Sequence, residues 1–272
     1  MIVYRDSDII SFSNQIKDDK IKEKIPVGFE RMISHLVYFN RECYYYKLVD
    51  VHQLINELIG CQFAKILNLE SVEYKIGKME EDKYNTYVLS KVFFEENYQY
   101  KTCYEYFKTE SNKNISMLQT LFSPIFLSEF KLIDHLDKQT IIKLLKLIAL
   151  DLKMGQVDRN DRNILLRIDK ENNIDLAPIF DYGESYYKNE KFFEIYSNSF
   201  ITIRFNKMSF SSLFERFPEL REYIDILKNI SLQSILRKIE EENNISFTDS
   251  EIDFYQKQDL QKNKVLKKIE LG

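Results

Sequence analysis

The pattern of hydrophobic residues changes near residue 100, and this change constrains the fold more than any other feature of the sequence. Before residue 100, short runs rich in Tyr, Val and Ile alternate with polar turns, which is typical of β-strands. After it, apolar residues recur with the period of amphipathic helices. A strand-rich half followed by a helix-rich half predicts an α+β protein.

The first half is predicted to form a small antiparallel sheet with one inserted helix. Two β-prone runs, at residues 35–39 and 43–49, flank a short polar turn and predict a hairpin. Residues 51–69 follow, and their apolar residues suit one broad helical face. The runs at 72–78 and 84–94 predict two further strands.

The second half is predicted to be mostly helical, with one more hairpin. Helices are predicted over Ser116–Asp134 and Lys138–Met154, and strands over residues 164–168 and 174–179. Roughly the last seventy residues favour helices again. The second helix has the clearest periodicity, carried by Ile141, Leu144, Leu145, Ile148 and Leu152. Thr248 and Glu251 have the spacing of a capping box for the final helix.

Composition excludes several classes of protein. A net charge of −4 shows no basic excess for direct nucleic-acid binding. The most apolar stretch is interrupted by lysines, so no membrane span is expected. The 3 cysteines are widely spaced, which favours free thiols in a reducing cytoplasm over disulfides or a zinc site. Secretion or translocation as an effector remains open.

Glycine is scarce, with 6 residues in the chain, and this excludes the glycine-rich phosphate loops. Neither G-x-G-x-x-G nor G-x-x-x-x-G-K-[ST] occurs. An enzyme that binds a nucleotide with this sequence must therefore hold the phosphates by other groups.

Residues 155–184 carry the pattern that points to chemistry. Asp158 is followed five residues later by Asn163, then by the second predicted hairpin, and then by Asp181 in an Asp-Tyr-Gly triplet. Phosphoryl transfer needs a carboxylate that orients the attacking hydroxyl, and oxygen ligands for Mg²⁺. Asp158 suits the first role, and Asn163 with Asp181 suits the second. The hairpin would return Asp181 to the side of Asn163.

The Asp-Arg-Asn triplet occurs twice, so the spacing decides which aspartate is the candidate base. Asp158 places Asn163 at the fifth following position, as in the catalytic loops of kinases. Asp161 would place Leu166 there, and leucine cannot bind a metal. The pattern therefore favours Asp158.

The two motifs resemble the catalytic core of the HipA-like serine/threonine kinases of bacterial toxin–antitoxin systems. The resemblance is specific over the run from Asp158 to Gly183 and includes Leu-Ala-Pro-Ile-Phe before Asp181. It implies ATP and Mg²⁺ as cofactors, a protein substrate, and an antitoxin or other partner subunit. It also implies two lobes, at residues 1–97 and 98–272.

The same resemblance assigns further site residues. Lys47, near the end of a predicted strand, would grip the ATP phosphates, and Glu57 on the following helix would pair with it. The strand that contains Leu89 would lead to the hinge, where backbone groups meet adenine. The phosphate loop would lie at residues 25–34, where Arg31 could contact phosphate and Ser34 could be a regulatory phosphorylation site.

Two alternatives remain at this stage. The motifs also resemble those of phosphoinositide lipid kinases, so the same fold could act on a lipid or a small molecule. The chain could instead be a non-catalytic pseudokinase that binds partners in a toxin–antitoxin system, although it retains Lys47, Asp158, Asn163 and Asp181.

Overall fold

The computed structural model describes residues 2–4, 36–39, 42–81, 85–103, 105–106, 136–156, 159, 163–186 and 214–271. The helix predicted over Ser116–Asp134 lies outside these residues.

A five-stranded sheet forms the first half of the described chain. Its strands are β1 (Ile2–Tyr4), β2 (Leu36–Phe39), β3 (Glu42–Val49), β4 (Tyr74–Met79) and β5 (Thr86–Lys91). Their order across the sheet is β1-β4-β5-β3-β2. The predicted hairpin is β2–β3, with Phe39 paired to Glu42. The pairs among β2, β3, β5 and β4 are antiparallel as predicted, whereas β1, which the sequence did not predict, joins β4 in parallel.

One helix, α1 (Val51–Ile66), packs against this sheet. It begins at a capping box in which Asp50 accepts a hydrogen bond from the Gln53 amide at 2.8 Å, while the Gln53 side chain accepts one from the Asp50 amide. Every residue from Leu54 to Ala64 is buried, including the polar Asn56 and Glu57. Because buried polar groups need hydrogen-bond partners, these two side chains must have partners inside the protein.

A second, antiparallel sheet contains β6 (Gln99–Thr102), β7 (Leu165–Ile168) and β8 (Ile174–Leu176), in that order. Strands β7 and β8 form the predicted second hairpin. The Asp169 carboxylate organises its turn by accepting hydrogen bonds from the amides of Glu171 and Asn173, both at 2.8 Å. The sequence did not predict β6.

Four long helices complete the described structure: α2 (Lys138–Met154), α3 (Glu219–Lys228), α4 (Leu232–Asn243) and α5 (Asp249–Leu271). Helix α2 has the predicted bounds and ends at Gly155, whose left-handed backbone (φ 65°) favours glycine. It packs against α1, α3 and α5.

Among the described residues, no helix has both the length and the apolar character needed to cross a membrane. All three cysteines are free thiols, as predicted.

The largest hydrophobic core runs from the first sheet through α1 and α2 to the last three helices. Within it, Gly60 of α1 lies directly against the ring of Tyr182. A Cβ atom at position 60 would lie 2.2 Å from the Cγ atom of Tyr182. The absence of a side chain at Gly60 therefore allows the Asp-Tyr-Gly segment to pack closely on α1.

We predict that Gly60→Ala destabilises the protein by about 1–3 kcal/mol, because the added methyl overpacks the Tyr182 ring. The sign is diagnostic, since glycine to alanine inside a helix normally stabilises by about 1 kcal/mol. Urea unfolding of both proteins measures the difference. A Gly60→Ala protein as stable as the wild type would contradict the packing described here.

Candidate active site

Strand β3 and helix α1 bring Lys47 and Glu57 together. The Lys47 Nζ atom lies 3.7 Å from Glu57 Oε1. The Glu57 side chain is 2% exposed, whereas that of Lys47 is 50% exposed. The ammonium group thus pairs with a buried carboxylate on one side while solvent or a ligand can reach it from the other.

Asp181 approaches Lys47 as a second carboxylate. Its Oδ1 atom lies 2.9 Å from Lys47 Nζ. The backbone of Asp181 is left-handed (φ 64°), a conformation that non-glycine residues adopt only when the surroundings hold them there. The Asp181 amide donates to the Tyr74 hydroxyl at 2.9 Å, and its carbonyl accepts from Gln156 Nε2 at 2.7 Å. These two bonds hold the carboxylate against Lys47.

Glu57 also contacts the residues that follow Asp181. Its Oε2 atom accepts a hydrogen bond from the Tyr182 amide at 2.7 Å. A Cβ atom at Gly183 would lie 3.2 Å from Glu57 Oε1 and 3.6 Å from Lys47 Nζ. Because glycine has no side chain, the backbone at this position can lie directly beside the two charged groups. The three residues of the Asp-Tyr-Gly segment therefore all contact the Lys47–Glu57 pair or lie directly beside it.

The charges of this cluster depend on each other. Burial, and then the nearby Asp181 carboxylate, raise the pKa of Glu57 to about 7, against the opposing pull of Lys47. Burial lowers the pKa of Lys47, but the carboxylates of Asp181 and Glu57 outweigh it, and the pKa of Lys47 lies above its ordinary value. The lysine is therefore cationic at neutral pH, while Glu57 titrates in that range.

Arg159 links the two candidate metal ligands through the backbone. Its guanidinium is buried, and its Nε atom donates to both carboxylate oxygens of Asp151 at 3.2 Å. One terminal nitrogen of the same group donates to the carbonyl of Asn163 at 3.2 Å and to the carbonyl of Phe180 at 2.7 Å. Phe180 directly precedes Asp181. This single side chain therefore connects the backbone at Asn163 to the backbone next to Asp181.

The chain between α1 and β4 supports the same segment. The Val72 amide donates to the Ile179 carbonyl, and the Ile179 amide donates to the Glu70 carbonyl, both at 2.9 Å. These bonds connect the chain just before β4 to the residues just before Asp181. The segment is therefore held from both halves of the described structure.

Leu89, another predicted site residue, does not join this cluster. In the register of β3 and β5, Lys47 pairs with Val88, whereas Leu89 pairs with Tyr46. Because side chains alternate along a strand, the Leu89 side chain lies on the opposite face of the sheet from Lys47, buried in a separate hydrophobic cluster. Asp158, Arg31 and Ser34 lie outside the described residues.

Four supporting residues were missed by sequence reasoning: Tyr74, Asp151, Gln156 and Arg159. One signal was present, because Asp151 interrupts the apolar face of the predicted helix Lys138–Met154. A carboxylate at such a position is rarely buried unless it is paired. Its partner, Arg159, is only eight residues further along the chain.

Comparisons with known proteins bear on the fold. No protein-family model matches the sequence, and no curated protein matches it. Among solved structures, the Helicobacter pylori proinflammatory kinase CtkA superposes with a TM-score of 0.57 at 17% identity, over 84% of this chain and 89% of that chain.

The Shewanella oneidensis MR-1 toxin HipA, solved with HipB and its operator DNA, superposes with a TM-score of 0.55 at 15% identity. The match covers 84% of this chain and 62% of that one. The chain has a kinase-like fold. The predicted α+β class and the resemblance to HipA are thereby confirmed at the level of the fold, which is what similarity at such identities establishes.

The raised pKa of Glu57 predicts a specific pH dependence of stability. The folded-state pKa, about 7, lies above the ordinary value of 4.5, so this carboxyl group stabilises the fold at low pH. That contribution is lost as the pH rises through about 7. Relative to Glu57→Gln, the wild type should lose on the order of 1–3 kcal/mol between about pH 5 and pH 8.

Urea unfolding of both proteins at several pH values measures this difference. The control is Glu73→Gln, which removes an exposed carboxylate and should follow the wild-type profile. A constant difference between the wild type and Glu57→Gln over this pH range would contradict the prediction.

The buried ion pair of Asp151 and Arg159 predicts different stabilities for a single and a double variant. Arg159→Met removes the buried ion pair that Arg159 makes with Asp151 at 3.2 Å and should cost about 3–5 kcal/mol. The double variant Asp151→Leu/Arg159→Met removes both charges and should regain most of that loss. Thermal unfolding compares the three proteins. Equal destabilisation of the single and double variants would show that loss of the Asp151–Arg159 ion pair is not the cause.

Proposed function

We propose that this protein is an ATP-dependent protein kinase that transfers the γ-phosphate to a serine or threonine hydroxyl. The observation that carries the proposal is the position of Lys47, whose half-exposed ammonium lies between the carboxylates of Glu57 and Asp181. A fixed cation next to a metal-binding carboxylate is the arrangement that phosphoryl transfer requires at the nucleotide phosphates.

In this proposal Lys47 binds the phosphates of ATP. Glu57 holds the lysine from the buried side, so the exposed side of the ammonium group remains available to the nucleotide. Electrostatic stabilisation by a preorganised cation is effective because no reorganisation is needed during the reaction. The kinase-like fold of the chain supports this assignment.

Asn163 and Asp181 are the residues that we expect to hold Mg²⁺. Their side chains offer oxygen ligands, which Mg²⁺ prefers, and both are partly exposed. Arg159 holds the backbone at Asn163 and next to Asp181, as a shared ion would require. When bound, the ion would neutralise charge on the phosphates. Among the described residues, no group of three or more His, Cys, Asp or Glu side chains is arranged around a common metal position.

Asp158 is proposed as the residue that orients the acceptor hydroxyl and takes its proton. It directly precedes Arg159, whose side chain is buried and bonded to Asp151. The catalytic loop therefore has a rigid anchor at its second residue. Asp158 is assigned by its spacing to Asn163, which matches the kinase pattern.

The remaining features of the proposal concern organisation and partners. We place the boundary between two lobes near residue 97, because β5, which ends at Lys91, belongs to the first sheet and β6 belongs to the second.

The solved HipA structure contains HipB and operator DNA. We propose that this chain also has a protein partner, as an antitoxin or subunit, and acts in the cytoplasm. A net charge of −4 favours a protein acceptor over a lipid surface.

Transfer of radiolabel from γ-labelled ATP in the presence of Mg²⁺ tests the proposed kinase activity. The acceptors are casein and the proteins of a heat-inactivated bacterial lysate. Asp158→Ala should lower the transfer rate by about 10²–10⁴-fold, because the general base is lost. Its affinity for Mg-ATP, measured by calorimetry, should stay close to that of the wild type. Lys47→Met should weaken Mg-ATP binding itself.

Asp225→Asn is the matched control, since it removes an exposed aspartate of α3 and should leave transfer unchanged. Undiminished labelling by the Asp158→Ala protein would exclude its role as base. Labelling of phosphoinositides or small alcohols in place of proteins would favour a lipid or small-molecule kinase. A wild-type protein that fails to bind Mg-ATP would favour a pseudokinase.

A further inference from the structure

Helix α5 contacts the candidate site through one buried tyrosine. Tyr255 is 1% exposed, and its hydroxyl lies 3.1 Å from Asn56 Oδ1 and 3.2 Å from the carbonyl oxygen of His52. Both atoms are acceptors on α1, the helix that carries Glu57, and we assign the single O–H of Tyr255 to the nearer one, the Asn56 oxygen. The tyrosine therefore presents its O–H to the polar side of α1 from a helix far away in the sequence. Tyr255 follows His52 by 203 residues and Asn56 by 199.

Asn56 continues this connection to the residues after Asp181. Its Nδ2 atom donates to the carbonyls of Gly183 and Ser185, both at 2.7 Å. The amide group thus uses both of its N–H bonds on this segment, while its oxygen faces Tyr255. Asn56 is buried and directly precedes Glu57, so its partners determine how this turn of α1 sits against the segment.

A separate set of contacts holds α5 in place. Its Asp259 accepts an ion-paired hydrogen bond from Lys153 of α2 at 2.8 Å, and the same ammonium donates to Asn263 of α5 at 2.8 Å. Tyr186 packs edge-on against Tyr255, with ring centroids 5.6 Å apart. The Tyr186 amide donates to the carbonyl of Met154, the last residue of α2, at 2.9 Å. Helix α5 is thus joined to the end of α2 as well as to the segment that follows Asp181.

We propose that Tyr255 is a positioning residue: through Asn56, it holds Glu57 and the Asp-Tyr-Gly segment where both carboxylates reach Lys47. Tyr255 does not touch Lys47 or either carboxylate, and it acts only through the Asn56 amide. The catalytic consequence rests on the proposed kinase function, whereas the geometric part concerns the protein without any ligand.

The hydroxyl of Tyr255 is the atom that carries this role. Without it, the buried Asn56 oxygen loses a donor, and the Asn56 side chain is held only by its two N–H bonds to the carbonyls of Gly183 and Ser185. The hydrogen bond from the Tyr182 amide to Glu57 closes the same loop of contacts. We therefore expect this amide to open more often when the hydroxyl is removed.

Tyr255→Phe in the full chain tests the proposal, because it removes the hydroxyl and keeps the ring that packs on Tyr186. Amide hydrogen exchange of the ligand-free protein, read by NMR, should become about 2- to 10-fold faster at Tyr182, as expected for loss of one hydrogen bond. Exchange in the middle of α2 should not change. Unchanged exchange at Tyr182 would overturn the proposal.

Tyr223→Phe is the matched control, since it removes a tyrosine hydroxyl from α3, where the ring packs under Lys146. It should leave exchange at Tyr182 as in the wild type, and an equal acceleration would show a general loosening of the structure and overturn the assignment.

A double-mutant cycle with Asn56→Ala tests whether Tyr255 acts through Asn56. In that background Tyr255→Phe should have no further effect, and additive effects would overturn action through Asn56. If Asn56→Ala does not fold, the Tyr255→Phe comparison decides alone.

Phosphotransfer adds a functional measurement. Tyr255→Phe should raise KM for ATP by about 2- to 10-fold, because Lys47 is held less well, and Tyr223→Phe should not. An unchanged KM alongside faster exchange would overturn the catalytic consequence. If the wild type transfers no phosphate, the proposed kinase function fails, and the exchange measurement still decides whether Tyr255 positions the segment.

Discussion

The structure around the candidate site depends on one ammonium group shared by two carboxylates. Glu57 is almost fully buried, and a buried charge is costly unless it has partners. Lys47 and the Tyr182 amide supply those partners, and Asp181 completes the set from the exposed side. Strand β3, helix α1 and the Asp-Tyr-Gly segment must therefore be correctly placed relative to each other, because each contributes one member of the same cluster.

Neutral groups hold this cluster in place. The Tyr74 hydroxyl, the Gln156 amide and the Asn56 amide bind backbone atoms from Asp181 onward. Arg159, a charged support among the described residues, is ion-paired with Asp151. Since the pKa of Glu57 is near 7, the charge of the site itself changes over the neutral pH range. This couples the stability of the fold to the protonation of a single buried group.

Much of the fold follows from local sequence, and the exceptions have a common cause. Helix α2 has its predicted bounds, and the β2–β3 and β7–β8 hairpins form where apolar alternation and polar turns predicted them. Strands β1 and β6 were missed because three or four residues show too little alternation, and neither strand forms a hairpin with its neighbour in the chain, as the equally short β2 and β8 do. They are strands only because β4 and β7 are available as partners. The face on which Leu89 lies was likewise decided by pairing register, which flips with a shift of one residue.

The sequence by itself determined the kinds of chemical groups and their local spacing: a lysine on a strand, a glutamate on the next helix, an Asp and an Asn five residues apart, and an Asp-Tyr-Gly after a hairpin. The tertiary structure decided which of these groups meet and with what charge. Lys47 and Asp181 are 134 residues apart, and Glu57 and Tyr182 are 125 apart, so no local pattern encodes their contact. The pKa of Glu57 and the supporting roles of Arg159, Tyr74 and Asn56 arise from burial and through-space distances. Those quantities exist only once the chain has packed both halves around the same core.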